Sequence, residues 1–251
     1  MNPSEIWLIV FVCLFAGGML GMVLRVKLPE HHLNAESKDA IKFGAALIST
    51  MAALVLGLLI ASAKGSYDTQ RNEVAELAAR IGLLDRLLAH YGPESKNARD
   101  LLRQSMAITI DRLWPHERSQ HVQLDPSSSR NEATYDAIQM LSPKTDAERS
   151  LQSQAENMAV TIGNTRWLMF AQSGGSISMP FLVILVLWLT IIFLSYGLFA
   201  PNNATVVIAM LLCAMSVAAA IFLILELDRP FEGLIHVSSQ SMRNTLADLG
   251  R

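Results

Sequence analysis

The chain has 251 residues, 51% hydrophobic and 17% charged, with a formal net charge of -2 and a mean hydropathy of +0.33. A soluble domain carries about a quarter charged residues, so the composition excludes a disordered chain. The near-neutral balance, without any basic run, excludes a nucleic-acid binder. The charges are also unevenly spread: there is none between Ile6 and Leu24, none from Phe43 to Ala63, and none over the 59 residues from Trp167 to Leu225.

A membrane-spanning helix needs about 20 apolar residues. The first gap, Ile6–Leu24, holds one such helix. Its upstream flank carries Glu5 and no Lys or Arg, unlike the positive n-region of a secretory signal, so an uncleaved helix is expected. The second span runs from about Ile41 to Ala63. The third starts near Ser178, with Pro180 in its first turn, and ends near Ala200. Pro201-Asn202-Asn203 is a turn, the fourth span covers Thr205 to about Leu227, and Pro230 stops it. The last gap thus holds two spans.

Lys64–Ile177 carries 13 Lys/Arg and 14 Asp/Glu and reads as helical. Val74, Leu77, Ile81, Leu84, Leu88 and Tyr91 follow 3-4-3-4-3 spacing, a heptad seam that Gly92-Pro93 ends. If this helix continues span two, with Gly65 as its weak point, Ile41–Tyr91 is a rod of about 75 Å. A second helix is expected over Glu94–Trp114, with Ala98, Leu101, Leu102, Ser105, Ile108 and Leu113 facing inward. A polar loop with His116, His121 and Pro126 follows, then a short helix over Ser129–Leu141. Thr145-x-x-Glu148 opens a last helix, with Leu151, Ala155, Met158, Ile162, Thr165 and Met169 on one face. Such seams serve packing within one bundle or contact with another subunit, and both readings stay open here.

The expected fold is therefore all-α: four transmembrane helices in a 2+2 arrangement, with a helical-bundle extramembrane domain inserted between spans two and three. The expected divisions are 1–63, 64–177, 178–228 and a tail, 229–251. Arg25, Lys27, Lys38 and Lys42 flank one side of the membrane. Lys64, Arg71, Arg80, Arg166, Arg229 and Arg243 flank the other. The excess favours a cytoplasmic large loop and termini.

Span two carries Ala45, Ser49, Ala53, Gly57 and Ala61 at a spacing of four, and span one carries Gly17-x-x-x-Gly21. Small residues let helices approach closely in lipid. On span two the stripe can equally face a pore, and the candidates are Ser49, Thr50, Ala53, Leu54, Gly57, Leu58 and Ala61. No ionisable residue lies mid-span, which disfavours proton relays and voltage sensors but not a pore gated by apolar constriction. Glu226 and Asp228 at the end of span four oppose the helix dipole and need a partner such as Arg229 or Arg166. Pro230 and Gly233 around Phe231 suggest a fixed turn with an aromatic anchor at the lipid surface.

Chemistry is otherwise sparse. Cys13 and Cys213 lie in apolar gaps and act as small hydrophobes. His31 and His32 near Glu30, Glu36 and Asp39 lack helical ligand spacing, so no metal is expected. Serine-elbow, phosphate-loop, dinucleotide and Cys-His signatures are missing, so neither an enzyme nor a cofactor is expected.

Several stretches carry a resemblance. They are His32–Asp39, Ala52–Leu59, Tyr67-Asp68 with Arg71, Leu84–Ala89, Trp114-Pro115, Pro180, Trp188 and the run Glu226-Leu227-Asp228-Arg229-Pro230-Phe231-Glu232-Gly233. Together they resemble the bacterial bestrophin-like domain family. The resemblance implies a relation to bestrophins, which are pentameric anion channels with four membrane helices and a cytoplasmic helical domain. It implies self-assembly in the bacterial inner membrane and inorganic anions such as chloride as the permeant species. Two bestrophin features are not matched. No aromatic residue lies between Gly44 and Ala63 to form a pore neck, and no acidic run follows Glu232 before Asp248. The rival reading is a non-conducting scaffold or sensor whose heptad helices bind a partner.

Overall fold

The computed structural model describes residues 3–29, 34–114, 129–172, 177–231 and 233–250. Among the described residues eight α-helices follow one another: α1 (Pro3–Lys27), α2 (Ala35–Tyr91), α3 (Lys96–Leu113), α4 (Ser129–Gln139), α5 (Asp146–Gln172), α6 (Met179–Phe199), α7 (Ala204–Leu227) and α8 (Gln240–Asp248). No strand occurs among the described residues. Four helices, α1, α2, α6 and α7, are long and apolar enough to cross a membrane. The chain divides into two compact units, one of residues 1–66 with 176–228, the other of 67–175 with 229–251.

In the first unit, α1 and α6 approach backbone to backbone. A Cβ placed on Gly21 would overlap the Leu194 carbonyl and come within 2.8 Å of the Leu198 nitrogen; one on Gly197 would overlap the Gly18 carbonyl. Neither helix could hold this separation with a side chain there. In lipid the hydrophobic effect does not drive helices together, so dispersion at this short range does. The Gly17-x-x-x-Gly21 pattern is thus explained by packing inside the chain. Around it, Val10, Leu14, Leu185, Ala214, Ala218 and Ile221 are almost fully buried and share one cluster with Ala52, Leu59 and Ala63 of α2. Helix ends are finished locally. The Asn203 side chain accepts from the Val206 N–H at 2.9 Å and caps α7. Arg25 donates to the Ala200 carbonyl, placing a cation at the C-terminal, negative end of α6.

In the second unit, all six seam residues of α2, Val74 to Tyr91, are buried. The cluster formed by the first five includes Leu102, Met106 and Ile110 of α3, Ile138 of α4, and Ala155, Ile162 and Met169 of α5. Of the two readings of this seam, packing within one bundle holds. The inner face of α3 shifts from the expected one: Ala98, Leu102, Ser105 and Leu113 are buried, but Met106 and Ile110 replace Leu101 and Ile108, which are only partly covered. α2 ends at Gly92, whose φ of 125° suits glycine. The Ser95 hydroxyl then donates to the Leu88 carbonyl, 2.5 Å away, and holds the turn into α3. Asp85, 2% exposed, accepts from Arg99 Nε and Nη2 at 2.7 and 2.9 Å. The Thr145 hydroxyl accepts from the Glu148 N–H at 3.2 Å, while Glu148 reaches back to the Lys144 N–H at 2.6 Å. That is the capping box expected from Thr145-x-x-Glu148, displaced by one residue on its return arm.

Val237, Met242 and Leu249 of the C-terminal stretch join this core. Helix α8 has no counterpart in the sequence expectations. Nine residues are too few to be helical alone, and the burial of Met242 is what holds them. α2 runs unbroken through Gly65, so the weak point of the rod does not interrupt it. Glu30, His31, His32, His116 and His121 lie outside the described residues. Among the described ones no cluster of His, Cys, Asp and Glu is arranged to hold a metal.

Candidate functional site

Two sets of residues were singled out by sequence, and they belong to different surfaces. The first is α2 within the first unit. Its inward face is Ala45, Ala52, Leu59 and Ala63, all buried, with Val55 and Leu56 partly buried against the same cluster. A row spaced by four drifts about 40° around a helix with each step. The small-residue stripe therefore starts on the inward face at Ala45 and leaves it: Ser49 is partly buried, and Ala53, Gly57 and Ala61 are exposed. Packing against the chain's own spans does not account for these three. Leu54 and Leu58, 75% and 61% exposed, and Thr50, also exposed, lie on the outward side too, as do Leu47, Met51 and Ile60. A Cβ on Gly57 would meet nothing within 4 Å.

The two hydroxyls on this face are already engaged. Ser49 donates to the Ala45 carbonyl and Thr50 to the Leu47 carbonyl, each at 2.7 Å. Their protons point along the helix, as is common for hydroxyls within helices. What they offer outward is oxygen lone pairs. All seven candidate residues thus lie on one surface, which is apolar, narrow in side-chain volume at Ala53, Gly57 and Ala61, and flanked by Leu54 and Leu58. Coverage also sets α2 apart. Only 17% of its most apolar stretch is buried inside the chain, against 39% for α1 and 28% for each of α6 and α7.

The second set is the run Glu226-Leu227-Asp228-Arg229-Pro230-Phe231-Glu232-Gly233, where the boundary between the two units falls after Asp228. Glu226 is buried. Neither acid is without an interacting group, and the same holds for Arg229. The Asp228 N–H still bonds the Ile224 carbonyl and closes α7. Arg166, the other cation considered for this end, is taken up elsewhere, beside Ser105.

Beyond the boundary the run forms a fixed turn, as expected. Gly233 has φ of 91°, the left-handed region that glycine enters without strain. The chain then returns so that the Val237 N–H donates to the Pro230 carbonyl at 2.7 Å. Phe231 is half-buried. It packs against the core of the helical unit, edge-on to Trp114 with ring centroids 5.9 Å apart. Trp114 Nε1 donates to the Val237 carbonyl at 2.7 Å, so one indole holds both arms of the turn. A ring with a T-shaped aromatic partner gains beyond the burial of its own area. The pairing of Trp114 with the turn was not readable from spacing, since the two rings lie 117 positions apart in the chain.

Comparison with solved structures shows the fold. A crystal structure of a bacterial bestrophin homologue from Klebsiella pneumoniae, a single-residue variant, matches with a TM-score of 0.69 and 14% identity, covering 100% of this chain and 99% of that one. Another variant of it matches with a TM-score of 0.67 and 13% identity, covering 98% and 99%. A further membrane-protein crystal structure gives 0.66 at 12% identity, covering 96% and 99%. No curated protein matches the sequence. The family pattern of the bestrophin-like domain matches residues 12–242, nearly the whole chain, and the protein therefore belongs to the bestrophin-like domain family.

Proposed function

We propose that the protein is one subunit of a homo-oligomeric anion channel in the bacterial inner membrane, with α2 lining the central pore. The observation that carries this reading is the asymmetry of coverage. Of four spans, α2 is the one its own chain covers least, and its uncovered side includes a row of small residues, Ala53, Gly57 and Ala61. A ring of such faces leaves axial space, while large side chains would fill it. Membership in the family supports inorganic anions such as chloride as the class of cargo, and the ring of five is taken by analogy with bestrophins.

The proposed layout places spans 1–63 and 178–228 in the membrane in a 2+2 arrangement. The inserted helical domain, 64–177, and the tail, 229–251, lie on the cytoplasmic side. Because Ser49 and Thr50 donate their protons to backbone carbonyls, an anion passing them gains little from hydroxyl donors. Selection and gating then fall to Leu54 and Leu58, whose exposed side chains form an apolar constriction that conducts only when wetted.

The test is conductance of the purified oligomer in planar bilayers with asymmetric chloride. Currents reversing near the chloride equilibrium potential are expected. Silence across voltage and calcium, with the oligomer intact, overturns the proposal. The rival reading, a scaffold whose heptad helix binds a partner, is weakened by the burial of Val74 to Tyr91 within their own unit. It predicts a different assembly, a dimer sealed along the α2 stripe without an axial cavity.

A further inference from the structure

The helical unit contains a cavity of about 410 Å³ between α3, α4 and α5, and Arg166 lines it together with Ser105. Arg166 is a half-buried cation. Its Nη1 and Nη2 each lie 3.5 Å from the Ser105 hydroxyl, at the outer limit of a hydrogen bond. Its Nε is buried with no hydrogen-bond partner. No ion pair to Arg166 forms among the described residues. A guanidinium presents five N–H donors, and enclosing one of them without a partner is costly. Burial alone pulls its pKa down from the usual value to about 10, so the group stays charged at neutral pH while its environment disfavours that charge. Half-buried Arg99 in this unit shows the usual remedy, an ion pair at 2.7 Å with the buried Asp85.

The remaining surfaces of the cavity narrow what would supply the missing charge. Leu84, Leu102 and Ile162 make its walls apolar, and Trp167 adds an aromatic face. The volume is that of a small organic molecule, well above a halide. Glu132 and Asp136 also line it; both are exposed, so they face the solvent side. Two acids there repel a second negative charge on a ligand. We propose that this cavity is a binding site for a small organic monocarboxylate, its carboxylate held by Arg166 and Ser105 and its apolar body against Leu84, Leu102 and Trp167. The site lies wholly within the helical unit and stands whether or not the protein conducts.

The test uses the full-length protein in detergent at constant ionic strength, titrated with sodium benzoate and followed by calorimetry and thermal melting. Benzamide, sodium sulfate and sodium chloride serve as comparisons. Saturable heat and a rising Tm with benzoate, and neither with benzamide or sulfate, are expected. Arg166→Gln should weaken benzoate by about tenfold or more, the scale of a charge-assisted hydrogen bond. Gly163→Leu provides an independent variant with Arg166 intact. Gly163 lines the cavity and a Cβ there meets nothing within 4 Å, so the leucine fills the space without displacing protein. It should abolish binding and leave the fold intact. No saturable response to benzoate in the unmodified protein overturns the proposal, as does benzoate binding that survives in Gly163→Leu. Binding of sulfate in place of benzoate would show an inorganic oxyanion site and overturn the monocarboxylate assignment.

Discussion

Spans α1 and α2 carry the same signature, small residues spaced by four, and the structure uses them in opposite ways. On α1, Gly17, Gly18 and Gly21 lie on the buried face beside Val10 and Leu14, and a Cβ at any of the three would meet α6 or α7 atoms at short range. On α2, Ala53, Gly57 and Ala61 are exposed, and a Cβ on Gly57 meets empty space. The pattern marks where a close approach is possible, and what approaches is decided by the rest of the face. α1 sets its glycines among large buried residues, so the stripe and the packing face coincide. α2 keeps its packing face in Ala45, Ala52, Leu59 and Ala63, spaced seven, seven and four, and the row spaced by four rotates away from it.

The sharpest way to break this contrast is Gly21→Val. The atoms in its way are backbone, the Leu194 carbonyl and the Leu198 nitrogen, and backbone within a helix cannot step aside as a flexible side chain does. The helices must separate, and the dispersion that joins them in lipid falls steeply with distance. Loss of monodisperse protein on size-exclusion chromatography is expected. A well-behaved Gly21→Val protein with an unchanged Tm would mean that the α1–α6 approach is not what holds the first unit.

The matching change on the other stripe is Gly57→Leu. It should leave the Tm and the oligomer unchanged, because nothing in the chain occupies the space, and reduce chloride conductance by about tenfold or more, the effect of little more than 1 kcal/mol on the permeation barrier. A folded oligomer with unaltered conductance would remove α2 from the pore. Loss of folded protein would show that the stripe is packed after all and end the contrast with α1.

The sequence exposed the spans and the seam because each rests on composition and period alone. Charge-free gaps gave α1, α2, α6 and α7, and the 3-4 spacing of Val74 to Tyr91 gave a face that proved buried throughout. It was less informative wherever a partner far along the chain decides the outcome. Met106 and Ile110 displaced Leu101 and Ile108 from the inner face of α3 because the angle at which α2 and α5 meet that helix is not a property of its own pattern. Phe231 turned inward because Trp114 was there to receive it. Arg166 looked like a flanking charge for orientation, and only the assembled unit shows it half-buried beside Ser105 with its Nε enclosed. Helix α8 carried a faint sign, Met242, Leu246 and Leu249 on one face, in a segment too short for period to speak clearly.

Gly17→Ala is a graded version of the first change. Its Cβ would lie 2.8 Å from Thr190 Cγ2 and 3.1 Å from the Thr190 carbonyl. The methyl can rotate only by breaking the bond that Thr190 Oγ1 donates to the Val186 carbonyl at 2.7 Å. The helices can instead part by a few tenths of an ångström. A loss of about 1–3 kcal/mol is expected, the usual range for overpacking, read as a lowered Tm with folded protein retained. No change would mean that α1 and α6 have more slack at Gly17 than at Gly21.

The smallest effect belongs to Gly65→Ala. Gly65 lies within the unbroken helix α2, and a Cβ there meets nothing within 4 Å. Glycine inside a helix costs about 0.8–1.0 kcal/mol relative to alanine, mainly because the unfolded chain at glycine has more conformations to lose. With no clash to offset it, alanine should stabilise the protein and raise the Tm by about 2–4 °C. The sign carries the information. The same substitution on α1 must lower stability, because there the missing Cβ is what lets α6 approach, while on α2 the missing Cβ costs helix stability and returns nothing within the chain. A lowered Tm for Gly65→Ala would therefore mean that a second subunit occupies the space beside Gly65, and would move the subunit contact to this part of α2.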